Sequence, residues 1–359
     1  MNQEKLIQID TELIALLGKR IAVLAELEPP CLDEQSDNLT PLLTQAGVPE
    51  FVWKNIVISC VAALATASSH SANIKPRRLT VIGGRGMMGQ FFTSRLSAAG
   101  HKVNILEEND WDCADRLLAE VDLVLICVPI EHTLDVIRKA VLYLDPTTAL
   151  ADITSIKAPV FRAMLDQHTG PVLSLHPMFG SGIKSFLSQN VVVCPGRQSE
   201  AFKWLLELIE TEGGKIIVCT PEEHDRMMLI IQTIRHFCAF SLGVFLAQEG
   251  IDIGRSLEFS SPPYRLELDL VSRLFTQDVS LHINIMLASE DRRQAISKLA
   301  NTYSRLAHLV VQKDQAAIKR EFEKSYGVFR AGAARALKES DLIIDYLSIL
   351  LAANEVEQV

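Results

Sequence analysis

Apolar residues recur at Leu6, Ile9, Leu13, Leu16, Leu17 and Leu24, a spacing that keeps one apolar face on a helix over residues 1–27. Pro29-Pro30 stops it. A second helical stretch follows Pro49 and runs through Val52, Ile56, Val57 and Val61. Residues 66–78 are polar and without period, which predicts a linker. The rhythm then changes. Short apolar runs at Leu79–Gly83, Val103–Leu106, Leu123–Val128, Ala149–Asp152, Val172–Leu175 and Val191–Cys194 are mostly separated by helix-like segments. Such alternation predicts a mostly parallel sheet with right-handed crossovers. After Pro221 the pattern is almost entirely helical, with apolar residues at helical spacing from Met227 to Leu246 and from Leu266 to Leu274.

A chain of 359 residues is too long for one average domain. The pattern divides it into a helical segment over 1–70, a linker over 71–78, an α/β domain over 79–245 and a helical domain over 246–359. Nearly half the residues are apolar, enough for sizeable cores, and the net charge is -9. That balance argues against nucleic acid or an anionic membrane as partner. Seven cysteines, an odd number with no C-x-x-C pair, predict reduced thiols. The opening MNQEKLIQID has no signal-peptide character, and the apolar run Ile56–Ala65 is too short to span a bilayer. The expectation is a soluble, cytoplasmic protein with no metal site.

The sharpest chemical signal follows the first strand. Gly84-Arg85-Gly86-Met87-Met88-Gly89 is a G-x-G-x-x-G between an apolar run and a helix over Gln90–Ala99. Glycines there permit a tight turn and close approach of a pyrophosphate to a helix N-terminus. The second strand ends at Glu107, twenty-three residues beyond Gly84. A carboxylate at that place accepts from a ribose 2'-hydroxyl and repels a 2'-phosphate, so NAD is the expected cofactor, although Arg85 leaves NADP open. The domain is therefore expected to be of the Rossmann dinucleotide-binding type. Val128-Pro129 reads as a strand edge near the nicotinamide, or as a buried strand with a proline stop.

Three later segments set polar residues among apolar ones. Ser155 lies in DITSIK and His176 in LHPMFG, each just after a strand, where open α/β sheets place their chemistry. A histidine pinned by a following proline suits a general base or a turn. His236 sits in an otherwise apolar helix and must find partners or line a cavity. Arg265 and Arg273, eight residues apart and roughly on one helix face, fit carboxylate binding or salt bridges.

Taken together, VIGGRGMMGQFF, CVPI, DITSIK, LHPMFG, EHDRMM with IRHF, and SSPPYRLELDLVSRLF resemble prephenate dehydrogenase from Leu79 to the C-terminus. The likeness is greatest to the T-protein type, fused behind a chorismate mutase. The resemblance implies NAD-dependent oxidative decarboxylation of prephenate, with His176 as the base, Ser155 bonding the substrate hydroxyl, and His236, Arg265 and Arg273 binding substrate. It also implies a homodimer paired through the helical C-terminal domain. Arogenate dehydrogenase, whose substrate carries an amine in place of the keto group, is the near rival. A dehydrogenase of 3-hydroxy acids and a non-catalytic sensor of NAD or tyrosine are more distant ones.

The N-terminal IDTELIALLGKRIAVLAEL resembles the first mutase helix, but a mutase needs several cations around its dicarboxylate. Residues 1–66 hold only Lys5, Lys19, Arg20 and Lys54, against nine acids. Gln3 stands where the resemblance calls for an arginine, and EPPCLDEQSDN replaces the expected basic segment. The segment is read as a degenerate, inactive mutase-like domain, or as an unrelated helical hairpin.

Overall fold

A computed structural model describes residues 2–27, 39–67, 75–180 and 182–357. The Pro29-Pro30 stop, the whole of EPPCLDEQSDN and residues 68–74 of the expected linker region lie outside the described residues. Two compact units divide at Pro221/Glu222.

The first unit opens with helices Asn2–Glu26, Thr40–Ala46 and Glu50–Ala67. The long first and third helices pack together. Leu24, Val57 and Cys60 are buried, and the Arg20 guanidinium lies 5.3 Å from the centroid of the Trp53 ring. The expected apolar face forms but is covered only towards its end among the described residues: Leu17 is half-buried and Leu24 buried, while Leu6, Ile9, Leu13 and Leu16 remain exposed.

A seven-stranded sheet follows, comprising β1 (Arg78–Ile82), β2 (Lys102–Leu106), β3 (Leu123–Ile126), β4 (Ala149–Asp152), β5 (Val172–Pro177), β6 (Asn190–Pro195) and β7 (Lys215–Val218). Their order is β2-β1-β3-β4-β5-β6-β7. All pairs are parallel except β5 with β6. Alternate residues of one strand feed opposite cores. Leu79, Val81, Leu123 and Leu125 face Phe92, Leu96 and Phe186, while Ile82, Val124 and Ile126 face Leu106, Ile137 and Met164. Two-sided burial is why these strands read as unbroken apolar runs.

Several boundaries differ from the sequence pattern. β5 runs on to Pro177, so His176 lies within the strand rather than just after it. β7 was not expected: Lys215–Val218 is an edge strand with mostly exposed side chains, so burial left no mark on its sequence. The third strand stops at Ile126, and Pro129 then caps the helix Ile130–Ala140. The division between units falls at Pro221 rather than after residue 245. The helical residues Pro221–Gln248, with Leu229–Ile234 wound as a π-helix, fall almost wholly in the second unit. That unit is all-helical, continuing through Ile253–Glu258, Pro262–Thr276, Val279–Leu287, Glu290–Val311, Gln315–Phe329 and Ala333–Glu357.

Candidate active site

The chain leaves β1 for β2 on one side and then crosses to β3 on the other, which opens a crevice at the C-terminal end of β1. The glycine loop fills its floor. Gly83 has φ +79°, and a Cβ on Gly89 would lie 2.0 Å from the Gly83 carbonyl oxygen. On Gly84 it would meet the Ile105 side chain at 2.8 Å. Side chains are thus excluded where the Met87–Ala98 helix presses on the strands. Gly86 caps that helix without any side-chain hydrogen bond, and Arg85, Gly86 and Met87 are exposed. The first helical N–H groups therefore receive no side-chain cap, at the positive end of the helix dipole. An anion such as a pyrophosphate fits this cradle.

Glu107 closes one side. Its Oε1 accepts from the Arg85 backbone N–H at 2.7 Å, and its own N–H donates to Asp110 Oδ2 at 3.0 Å. The carboxylate is thereby held beside the loop. Val128 packs toward the loop from β3, with Cγ1 3.1 Å from where a Gly83 Cβ would stand, and Pro129 is exposed at the rim. Met88 is half-buried against the core.

The C-terminal ends of β4 and β5 emerge on the same edge of the sheet, because β1, β3, β4 and β5 are parallel. His176 is buried near the end of β5, opposite Val192, and Ser155 is half-buried in the loop after β4. A wholly enclosed ion pair ties these two segments together. Lys157 Nζ lies 2.9 Å from Asp152 Oδ2 and donates to the Leu175 carbonyl at 2.5 Å. Asp152 also accepts from the Thr154 N–H at 2.8 Å, from the Thr154 hydroxyl at 2.6 Å and from the Ser174 hydroxyl. Buried charge is tolerated only when paired and hydrogen-bonded, and these partners belong to β4, the loop after it and β5. Burial, aided by the Asp152 charge, pushes the nearby Cys127 thiol far up, so it stays a neutral wall group.

Within the second unit, His236 Nδ1 lies 2.8 Å from His282 Nδ1, with ring centroids 4.8 Å apart. Burial, then His282, Arg235 and Arg292, pull the His236 pKa down to about 4. The His282 pKa is also lowered, by burial first. Arg292, 2% exposed, donates to the Ile285 carbonyl at 2.8 Å. Arg265 and Arg273 share the Pro262–Thr276 helix, the first half-buried and the second exposed. Neither guanidinium forms an ion pair or hydrogen bond among the described residues, so both are open to an anion.

The structure thus brings Gly84, Arg85, Gly86, Met87, Met88, Gly89, Glu107, Val128 and Pro129 to one loop, and places Ser155 and His176 on the same sheet edge. His236 and the two arginines are held within the second unit. Sequence reasoning missed Asp152, Thr154, Lys157 and Ser174, whose partnership is non-periodic, and also His282. A signal for His282 was present: like His236, it stands in an apolar helical run, SLHINIML. A cavity lined by Arg77, Asp122, Asp145, Lys203 and Trp204 lies at the opposite, N-terminal end of the strands, away from this chemistry.

Glycine cradle, acidic strand end and buried histidine at one edge of a doubly wound sheet define a dinucleotide-binding oxidoreductase. The sequence matches the family "Prephenate dehydrogenase, nucleotide-binding domain" over residues 93–218 and "Prephenate dehydrogenase, dimerization domain" over residues 220–324. The T-protein of Haemophilus influenzae is 38% identical over 281 residues, covering 78% of this chain and 73% of that protein. The T-protein of Enterobacter agglomerans is 33% identical over 98% of this chain and 97% of its own length. Prephenate dehydrogenase from A. aeolicus, crystallised with hydroxyphenyl propionate and NAD+, shares the fold at TM-score 0.57 and 17% identity, over 72% of this chain and 99% of that one. The chain belongs to the prephenate dehydrogenase family and is T-protein-like.

Proposed function

We propose that the protein oxidises and decarboxylates prephenate to 4-hydroxyphenylpyruvate with NAD, on the route to tyrosine. The observation that carries this reading is the buried His176, held with Ser155 on the sheet edge that also bears the glycine cradle. The cradle fits the pyrophosphate of NAD, and Glu107 is placed to hold its ribose. When bound, NAD supplies the nicotinamide that takes up the hydride. His176 accepts the proton of the ring hydroxyl, and Ser155 hydrogen-bonds that hydroxyl. Loss of the ring carboxylate as carbon dioxide leaves an aromatic ring, which makes the step effectively irreversible. Arg273 grips a substrate carboxylate with Arg265 in support, and His236 contacts the substrate.

The N-terminal segment carries no mutase activity in this reading. Of its four cations, Arg20 lies over Trp53 and Lys54 pairs with Glu50 at 2.8 Å, so two of the four are engaged within the segment itself. The protein works as a cytoplasmic homodimer without nucleic acid or membrane. The residues Pro221–Gln248 form one 28-residue helix long and apolar enough to cross a bilayer, an exception to the expectation from Ile56–Ala65. We assign its exposed apolar residues, among them Ile230, Phe240 and Phe245, to pairing with a second copy. The decisive assay is NADH or NADPH production from prephenate and from arogenate. Prephenate with NAD should give the highest kcat/KM; preference for arogenate would make the protein an arogenate dehydrogenase instead.

A further inference from the structure

We propose that His282 fixes the tautomer of His236, so that His236 presents a bare Nε2 to a hydrogen-bond donor on the substrate, a hydroxyl or an ammonium, and is not a carboxylate ligand. The inference rests on the reading that His236 contacts substrate.

The two Nδ1 atoms are 2.8 Å apart, and two lone pairs do not face each other at that distance, so one proton lies between them. Which ring owns it follows from the surroundings of His282. That ring is 6% exposed. Its Nε2 is enclosed with no hydrogen-bond partner, and the Leu274 carbonyl is the backbone group that favours a proton on the ring. A carbonyl oxygen attracts an N–H and repels a ring lone pair. His282 therefore carries its proton on Nε2 and accepts at Nδ1. His236 must then donate its Nδ1–H, and its Nε2 is left with a lone pair. Among the described residues that nitrogen has no hydrogen-bond partner, nor is it sealed in the interior.

Charge agrees with geometry. Burial and the guanidiniums of Arg235 and Arg292 oppose a proton on His236; Asp278, which pulls His282 the other way, acts on the second ring. A neutral ring offering a lone pair repels a carboxylate and takes an O–H or N–H. The unpartnered Arg265 and Arg273 are the groups suited to anions. His282 is thus a positioning residue that acts through His236.

The test uses the full chain with 15N-labelled histidine, together with steady-state kinetics on prephenate and arogenate. The His236 signals, assigned by their loss in His236→Leu, should show Nδ1 protonated and Nε2 bare. His282→Leu removes the acceptor and should raise KM on the order of tenfold, the scale of one lost hydrogen bond, with kcat nearly unchanged. His282→Asn returns an acceptor oxygen near the former Nδ1 and should restore most of the affinity, which a purely packing role would not do. His236→Leu should also raise KM: equally for both substrates if the shared hydroxyl is the donor, for arogenate alone if the ammonium is. A protonated Nε2 on His236 in the wild type overturns the proposal, as does an unchanged KM in His282→Leu when His236→Leu raises it. Should His236→Leu leave both KM values unchanged, the placement of His236 against substrate fails and the proposal with it. The nitrogen signals then show whether the tautomer argument was sound.

Discussion

Replacing Lys157 by methionine takes the cation out of an ion pair whose side chains are both 0% exposed. An exposed pair contributes about 0–1 kcal/mol, whereas stripping one partner from a buried pair costs about 3–5 kcal/mol, because the remaining charge has no water to turn to. The Leu175 carbonyl also loses its donor. Against this, Asp152 keeps the Ser174 and Thr154 hydroxyls and the Thr154 N–H, and methionine roughly conserves the stem volume. A loss of about 3 kcal/mol is expected, a large share of the ~5–15 kcal/mol that holds a domain folded. Urea unfolding of the full chain measures it. The double variant Asp152→Asn/Lys157→Met, which leaves no orphan charge, should recover part of the loss. In a Lys157→Met protein that remains folded, kcat should fall more than NAD affinity, since Ser155 and His176 are the groups the pair fixes. A cost below about 1 kcal/mol, the range of exposed pairs, or a double variant as damaging as the two single ones added together, would refute the account.

His176→Asn should lower kcat by about a hundred- to ten-thousand-fold with little change in KM, while Arg273→Ala should raise KM for prephenate roughly ten- to a hundred-fold. Steady-state kinetics separates the two, and reversed effects would exchange the roles. Glu107→Gln should narrow the preference for NAD over NADP, read from the ratio of kcat/KM values; wild-type protein that already uses both alike would contradict the ribose assignment. Acid should weaken the fold, because an unfolded histidine takes up a proton near pH ~6.5 whereas folded His236 resists until about pH 4. The urea midpoint should therefore drop from pH 7 to pH 5, and less so in His236→Leu.

The sequence pattern located six of the seven strands because the sheet is enclosed on both faces, and enclosure writes continuous apolar runs. β7 escaped for the opposite reason: Val218 is 64% exposed. The glycine loop was legible because its requirement is local, a turn and a close approach within six residues. The Asp152–Lys157 pair was not, since it spans a strand end, a loop and a helix start with no period to betray it. The His236–His282 contact joins residues 46 apart in sequence, beyond the reach of any helical repeat. Helix formation in Asn2–Glu26 was readable, but not that Leu6, Ile9, Leu13 and Leu16 of its apolar face would stay exposed.

The π-helical segment Leu229–Ile234 has a consequence for how this chain can change in length. An i→i+5 turn takes in one residue more than an i→i+4 turn, so the segment stores a surplus residue between two α-helical stretches. Deleting one residue from it would let the backbone tighten to ordinary α-winding while His236 keeps its phase against the helices beyond. The same deletion beyond the segment, after His236, would rotate every later side chain of that helix by about 100°. The glycine loop is the reverse case: with a Gly89 Cβ falling 2.0 Å from a carbonyl oxygen, not even a methyl group can be added there.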